Sequence, residues 1–197
     1  MKRFVRGRPY REPCKVILII CEGDSEEIYF NNFNKREWNC IRIRTPNSSY
    51  TDPVNLVEFA KRQKQNLNPE TTWCVFDIES KSQEVIDKTV RNAGKGINVI
   101  TSNPCFELWF LLHFQHVSSN LNVTDTIQML KNHISDYKKG NDIFKLIEDK
   151  TQVALSNSRR LNGNHISHRL NRYDIRCNPS TQIYQIIEHI FDILHRS

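Results

Sequence analysis

Features that mark membrane or secreted proteins are missing from this chain of 197 residues. No stretch approaches the roughly 20 consecutive apolar residues that span a bilayer. The basic residues at the start of the chain, 1–9, are not followed by the apolar segment of a signal peptide, so none is expected. Internal repeats and low-complexity segments are also missing. The sequence therefore predicts a globular protein that has no membrane-spanning segment.

The cysteines have no arrangement that suggests a metal ribbon or a disulfide framework. No two of them form a Cys-x-x-Cys pair, and four lie within or beside apolar runs. The six are Cys14, Cys21, Cys40, Cys74, Cys105 and Cys177. Free thiols of this kind are typical small buried hydrophobes of a reducing compartment, which predicts a cytoplasmic location.

Basic residues outnumber acidic ones, giving a formal net charge of +6. This excess favours an anionic partner, with nucleic acid ahead of a membrane surface. Residues 1–11 are interpreted as a basic flexible arm, for which simple solubility is the alternative role. The candidate nucleic-acid contacts in the C-terminal part are Lys138, Lys139, Arg159, Arg160, Arg169 and Arg172. A solvated face is the alternative for these six residues.

Short apolar runs alternate with helical patterns in the first 120 residues. Uninterrupted aliphatic runs, typical of strands buried on both faces, occupy residues 16–20 and 72–76. Two further strands are predicted at 40–44 and 97–100. Helices are predicted between the strands: one at 26–33 with Ser25 as its N-cap, one that starts at Pro53, and one at 84–95. Helical patterns alone follow, at 124–134, 142–148, 151–161 and 180–194. The prediction is a mostly parallel four-stranded α/β core over 12–120, with a helical extension over 121–197 packed on it.

Carboxylates follow two of the predicted strands. Glu22 ends the first strand with Glu26 one helical turn beyond, and Asp77 and Glu79 end the third. If these strands are neighbours, the four groups meet at the carboxyl edge of the sheet, where ligands bind in open α/β folds. Oxygen ligands of this kind suit Mg²⁺ or Mn²⁺. The pattern predicts a metal site for phosphodiester chemistry, with a solvated acidic loop as the alternative.

Glu107 is a further acidic candidate near the same edge. Pro104 is predicted to open a deeply buried helix, which puts Glu107 in its first turn. There the helix dipole stabilises a carboxylate even without a function. We therefore weigh a capping role for Glu107 against a catalytic role beside Glu22 and Asp77.

Longer motifs around these acids resemble a known family. Three motifs look like those of the RloB family, which includes AbiLii-type abortive infection proteins. They are Glu-Gly-Asp-Ser-Glu at 22–26 with Tyr29-Phe30, Asp-x-Glu at 77–79, and Ser-Asn-Pro-Cys-Phe-Glu-Leu-Trp at 102–109. That family is similar to Toprim domains. The resemblance implies that Glu22, Glu26, Asp77 and Glu79 hold a divalent metal for cleaving nucleic acid, with Glu79 standing where Toprim proteins usually have Asp. It also implies a role in phage defence and an AAA- or ABC-type ATPase partner.

Three functions compete at this point. The leading prediction is a Mg²⁺-dependent Toprim-type nuclease with Glu22, Asp77 and Glu107 as catalytic residues. The second is a catalytically silent Toprim-like module that binds nucleic acid or the ATPase. The third is a receiver-like phosphoacceptor domain, which the basic helical extension and the lack of a clear Lys after a fifth strand disfavour.

Overall fold

A mixed five-stranded sheet forms the centre of the protein in the computed structural model, which describes residues 16–34, 41–46 and 52–196. The strand order is β2-β1-β3-β4-β5. The first four strands are parallel, and β5 runs antiparallel to β4. The strands are β1 (Ile17–Cys21), β2 (Ile41–Arg44), β3 (Thr71–Asp77), β4 (Asn98–Asn103) and β5 (Ser180–Thr181).

The predicted α/β class is confirmed, but the predicted number of four strands is wrong. Ser180 and Thr181 are too short and too polar a segment to show a strand pattern. The sequence predicts a helix from residue 180 onward, whereas the last helix begins only at Ile183. Because β5 pairs with β4, the C-terminal part of the chain contributes directly to the sheet.

Eight α-helices connect or cover the strands in the described part of the chain. They are α1 (Asp24–Asn34), α2 (Pro53–Leu67), α3 (Gln83–Ala93), α4 (Glu107–Leu111), α5 (Val123–Lys131), α6 (Phe144–Ile147), α7 (Thr151–Ser167) and α8 (Ile183–Arg196). The predicted start of α2 is confirmed, since the Asp52 carboxylate accepts from the Val54 and Asn55 amides. Two other predicted starts are wrong: Ser25 lies inside α1 rather than capping it, and α4 begins at Glu107, three residues after Pro104.

Alternate residues of the central strands supply two separate cores. Ile17 and Ile19 face one side of the sheet, where α1, α4 and the C-terminal helices pack around the buried Trp109. Leu18 and Ile20 face the other side, against α2 and α3. This alternation follows from the two-residue period of a strand, and it explains why β1 reads as a continuous apolar run.

The register of the sheet brings the ends of β1 and β3 together. Cys21 lies opposite Val75, and Asp77 lies opposite Ser102 of β4. The condition for the predicted convergence of carboxylates is therefore met, because the strands preceding Glu22 and ending at Asp77 are direct neighbours.

The cysteines in the described ranges are free and buried, as predicted; they are Cys21, Cys74, Cys105 and Cys177. The structure does not describe Cys14, Cys40 or the predicted basic arm 1–11.

Of the helices in the described ranges, none has both the length and the apolar composition needed to cross a bilayer.

Candidate metal centre

A cleft of about 270 Å³ opens at the carboxyl edge of the sheet. Its walls come from the β1–α1 turn, the end of β3, the start of α4 and a segment between α5 and α6. The lining residues that carry charge are Glu22, Asp24, Glu26, Asp77, Glu107 and Lys139. The cleft is therefore strongly acidic, although the whole chain is basic.

Glu22 is fixed immediately after β1 by contacts to β3 and to the turn behind it. Its amide donates to the Val75 carbonyl at 3.1 Å. Its carboxylate accepts the Asp77 amide at 3.1 Å and the Lys81 ammonium at 3.1 and 3.3 Å. Both carboxylate oxygens of Glu22 are thus already engaged.

Asp77 ends β3 with one carboxylate oxygen unsatisfied. Its Oδ1 is buried and has no hydrogen-bond partner among the described residues. Burial, followed by the nearby charges of Glu26 and Glu107, raises the pKa of Asp77 well above its usual range. An orphaned buried oxygen in an acidic cleft is costly unless a cation or a proton compensates for it.

Glu26 lies in the first turn of α1 and is only 5% exposed. Burial, with the charges of Glu107 and Glu22, raises the pKa of Glu26 to about 7. The carboxyl group packs against Gly23, where an added Cβ would lie 3.1 Å from Glu26 Oε2. Glycine at position 23 therefore leaves room for the acid that follows it by three residues.

Glu107 is buried at the base of the cleft, with 2% of its surface exposed. It accepts hydrogen bonds from the Tyr137 hydroxyl at 3.1 Å and the Ser25 hydroxyl at 3.4 Å. The Lys139 ammonium lies 3.8 Å from its second oxygen. Ser25 also accepts the Gly140 amide at 3.2 Å, so these contacts tie the segment around Lys139 to α1 and α4.

The structure brings Glu22, Glu26, Asp77 and Glu107 together but leaves Glu79 outside the lining. Glu79 is exposed in the turn after β3, and its amide donates to the Pro104 carbonyl at 3.3 Å. The Asp-x-Glu spacing predicted a shared direction only if the backbone stayed extended. The chain instead turns at Ile78, since the Lys81 amide donates to the Ile78 carbonyl at 3.0 Å.

The six basic candidates are spread over different surfaces. Lys139 lines the cleft, while the adjacent Lys138 is exposed and does not line it. Arg159 of α7 forms an ion pair with Glu188 of α8, and Arg160 beside it is exposed. The two remaining candidates, Arg169 and Arg172, are exposed in the region between α7 and β5, with the Arg172 guanidinium 4.7 Å from the Tyr173 ring centre.

The donor set suits a hard divalent cation, because four of the five carboxylates that line the cleft are buried or half-buried. One of these four, Asp77, also has an oxygen without a hydrogen-bond partner among the described residues. Across the described ranges, however, no three His, Cys, Asp or Glu side chains are already close enough to hold a metal ion. Binding an ion would therefore require the carboxylates to move toward it. Lys81 and Tyr137, which contact two of them, were not among the predicted site residues.

The fold and the cleft define an α/β protein with a carboxylate site at the edge of a mainly parallel sheet. A family model described as RloB-like protein matches residues 17–190, and the chain belongs to this RloB-like family. Comparison with curated proteins and with solved structures gave no match.

Proposed function

We propose that this protein is a metal-dependent nuclease of the Toprim type, acting on nucleic-acid phosphodiesters. The observation that carries the proposal is the cleft in which Glu22, Glu26, Asp77 and Glu107 converge around the unsatisfied Asp77 Oδ1. Four acids so close together repel one another, and a bound cation would offset that repulsion. Mg²⁺ or Mn²⁺ bound there would supply Lewis-acid activation of a phosphodiester and of a water nucleophile.

The surrounding residues have separate roles in this proposal. Glu22 and Asp77 provide oxygens from the ends of adjacent strands, which are rigid supports. Glu107 is oriented by Tyr137, while Lys139 places a positive charge at the mouth of the cleft for a backbone phosphate. Glu26, with its pKa near neutrality, can hold a proton when the cation is absent.

The biological setting is proposed from the resemblance to abortive infection proteins. The proposed role is phage defence, with an AAA- or ABC-type ATPase as a partner that controls the nuclease. The predominance of positive charge over the whole chain is consistent with a nucleic-acid target.

A catalytically silent module that binds nucleic acid or the ATPase is the second candidate. It is favoured by the Lys81 ammonium, which already engages both oxygens of Glu22. It is also favoured by the position of Glu79 outside the cleft lining.

Cleavage by the purified protein separates the two functions. Plasmid DNA and tRNA are incubated with the protein in Mg²⁺, Mn²⁺ or chelator, with and without the candidate ATPase. The nuclease proposal expects cleavage in a divalent ion, reduced to the chelator level by Asp77→Asn. Asp192→Asn, at an exposed aspartate of α8, is the matched control and should cleave like the wild type. Binding without cleavage under every condition would favour the silent module.

A further inference from the structure

Lys81 reaches the acidic site through the tight turn that follows β3. The turn is closed by the hydrogen bond from the Lys81 amide to the Ile78 carbonyl at 3.0 Å. Ser80 has a φ of 60°, a left-handed conformation that is unfavourable for a residue with a side chain. Ser82 then caps α3 by accepting the Val85 amide. After this turn, the Lys81 side chain reaches Glu22, the residue that follows β1.

The contact made by Lys81 is different from an ordinary surface ion pair. Its ammonium lies 3.1 Å from Glu22 Oε1 and 3.3 Å from Oε2, so it contacts both carboxylate oxygens. The two side chains are 16% and 22% exposed, which shields them partly from solvent. Lys81 is not among the residues lining the cleft, whereas Glu22 is. The Lys81 ammonium thus contacts Glu22 without itself lining the cleft.

Lys139, a second cation at this site, lies farther from its carboxylate partner than Lys81 does from Glu22. Lys139 is 55% exposed and lies 3.8 Å from Glu107, a separation at the outer limit of an ion pair. Among the described residues, Asp77 Oδ1 has no hydrogen-bond partner, whereas both carboxylate oxygens of Glu22 have one. A divalent ion entering the cleft therefore meets an available ligand at Asp77 but a carboxylate already bound to a cation at Glu22.

We propose that Lys81 is a built-in counter-ion that competes with the divalent cation for Glu22. In the metal-free protein, Lys81 offsets part of the repulsion among the four carboxylates and so stabilises the empty site. The same charge repels an incoming cation, since like charges a few ångströms apart oppose each other even in a hydrated cleft. Lys81 therefore sets the concentration of divalent ion at which the site fills. This inference rests on the proposed function, because it assumes that the cleft binds a divalent ion.

Calorimetric titration with MnCl₂ tests the role of Lys81 without relying on activity. Lys81→Met and Lys81→Gln remove the charge, and the second keeps a hydrogen-bond donor if the first folds poorly. Each is expected to bind Mn²⁺ about tenfold or more tightly than the wild type, the effect of removing one like charge from a largely hydrated site. Lys88→Met, at an exposed lysine of α3, is the control and should match the wild type.

The outcomes separate the inference from the proposed function. Tighter binding by both Lys81 variants, with an unchanged control, supports the counter-ion role. Wild-type binding combined with equal or weaker binding by the folded Lys81 variants would overturn that role and leave the metal site standing. If neither the wild type nor the variants bind Mn²⁺ at millimolar concentration, the metal site and the inference both fail. A purely structural Lys81 would change the unfolding temperature without changing Mn²⁺ affinity.

Discussion

Glu26 is a buried acid whose surroundings oppose its ionisation. Burial and two neighbouring carboxylates raise its pKa from 4.5 to about 7. The folded state therefore binds this proton more tightly than the unfolded state does. By linkage, the resulting stabilisation is fully present below about pH 4.5 and is lost as the pH rises through 7. Asp77, whose pKa is also raised, changes stability in the same direction.

Glu26→Gln should remove much of this pH dependence in chelator. Between pH 4.5 and 7 the free energy of unfolding of the wild type should fall by roughly 3 kcal/mol more than that of the variant, from about 1.4 kcal/mol for each pKa unit. Urea unfolding at a series of pH values in chelator measures both curves. Parallel curves would mean that folding does not raise the pKa of Glu26.

One rule, that acids after parallel strands meet at one edge, predicts three of the five carboxylates that line the cleft. Glu22 and Asp77 satisfy it directly, and Glu26 follows from the helical turn after Glu22. Glu107 was identified, but its partner Tyr137 was not, because the two are 30 residues apart and no local pattern links them. The spacing groups Glu79 with Asp77, because the sequence does not reveal the turn at Ile78.

Elements with a strong local signal have predicted ends that lie within a few residues of the observed ends. β1 and β3 carry long apolar runs, and α2 has a clear N-terminal signal in Asp52-Pro53. β5 could not be predicted, because two polar residues form a strand only through their pairing with Ser102 and Asn103. Its existence depends on tertiary packing rather than on local sequence preference.

The basic face of α7 gives a prediction at the level of an element. Arg159 and Arg160 are adjacent, but Arg159 is ion-paired with Glu188 of α8. Replacing Arg160 with Ala should weaken nucleic-acid binding about equally for different sequences and reduce the salt slope by about one. Arg159→Ala should change the slope less, and its effect on stability should stay within about 1 kcal/mol, as for surface ion pairs.

Binding of a labelled oligonucleotide at several salt concentrations measures these slopes. Lys88→Ala, at an exposed lysine of α3, provides the comparison for loss of one surface charge elsewhere. If both arginine variants keep the wild-type slope, this face of α7 contacts something other than nucleic acid.

The whole molecule combines a positive net charge of +6 with an acidic cleft at one edge of its sheet. Helices on both faces bury the strands, which leaves the carboxyl edge as the place where side chains from β1, β3 and α4 can meet. In the proposed nuclease, the positive exterior attracts the phosphate backbone and the carboxylates hold the ion that acts on it. The proposed nuclease therefore requires that this cleft binds a divalent cation.

Anomalous diffraction from a crystal soaked in MnCl₂ shows whether a divalent ion binds in the cleft. We expect an anomalous difference peak within the cleft, in contact with Asp77 and with at least one of Glu22, Glu26 and Glu107. A crystal of Asp77→Asn treated in the same way should lose the peak or show it much weakened. A cleft without manganese in wild-type crystals, or manganese bound only at an exposed site such as Glu79, would mean that the cleft is not a divalent cation site.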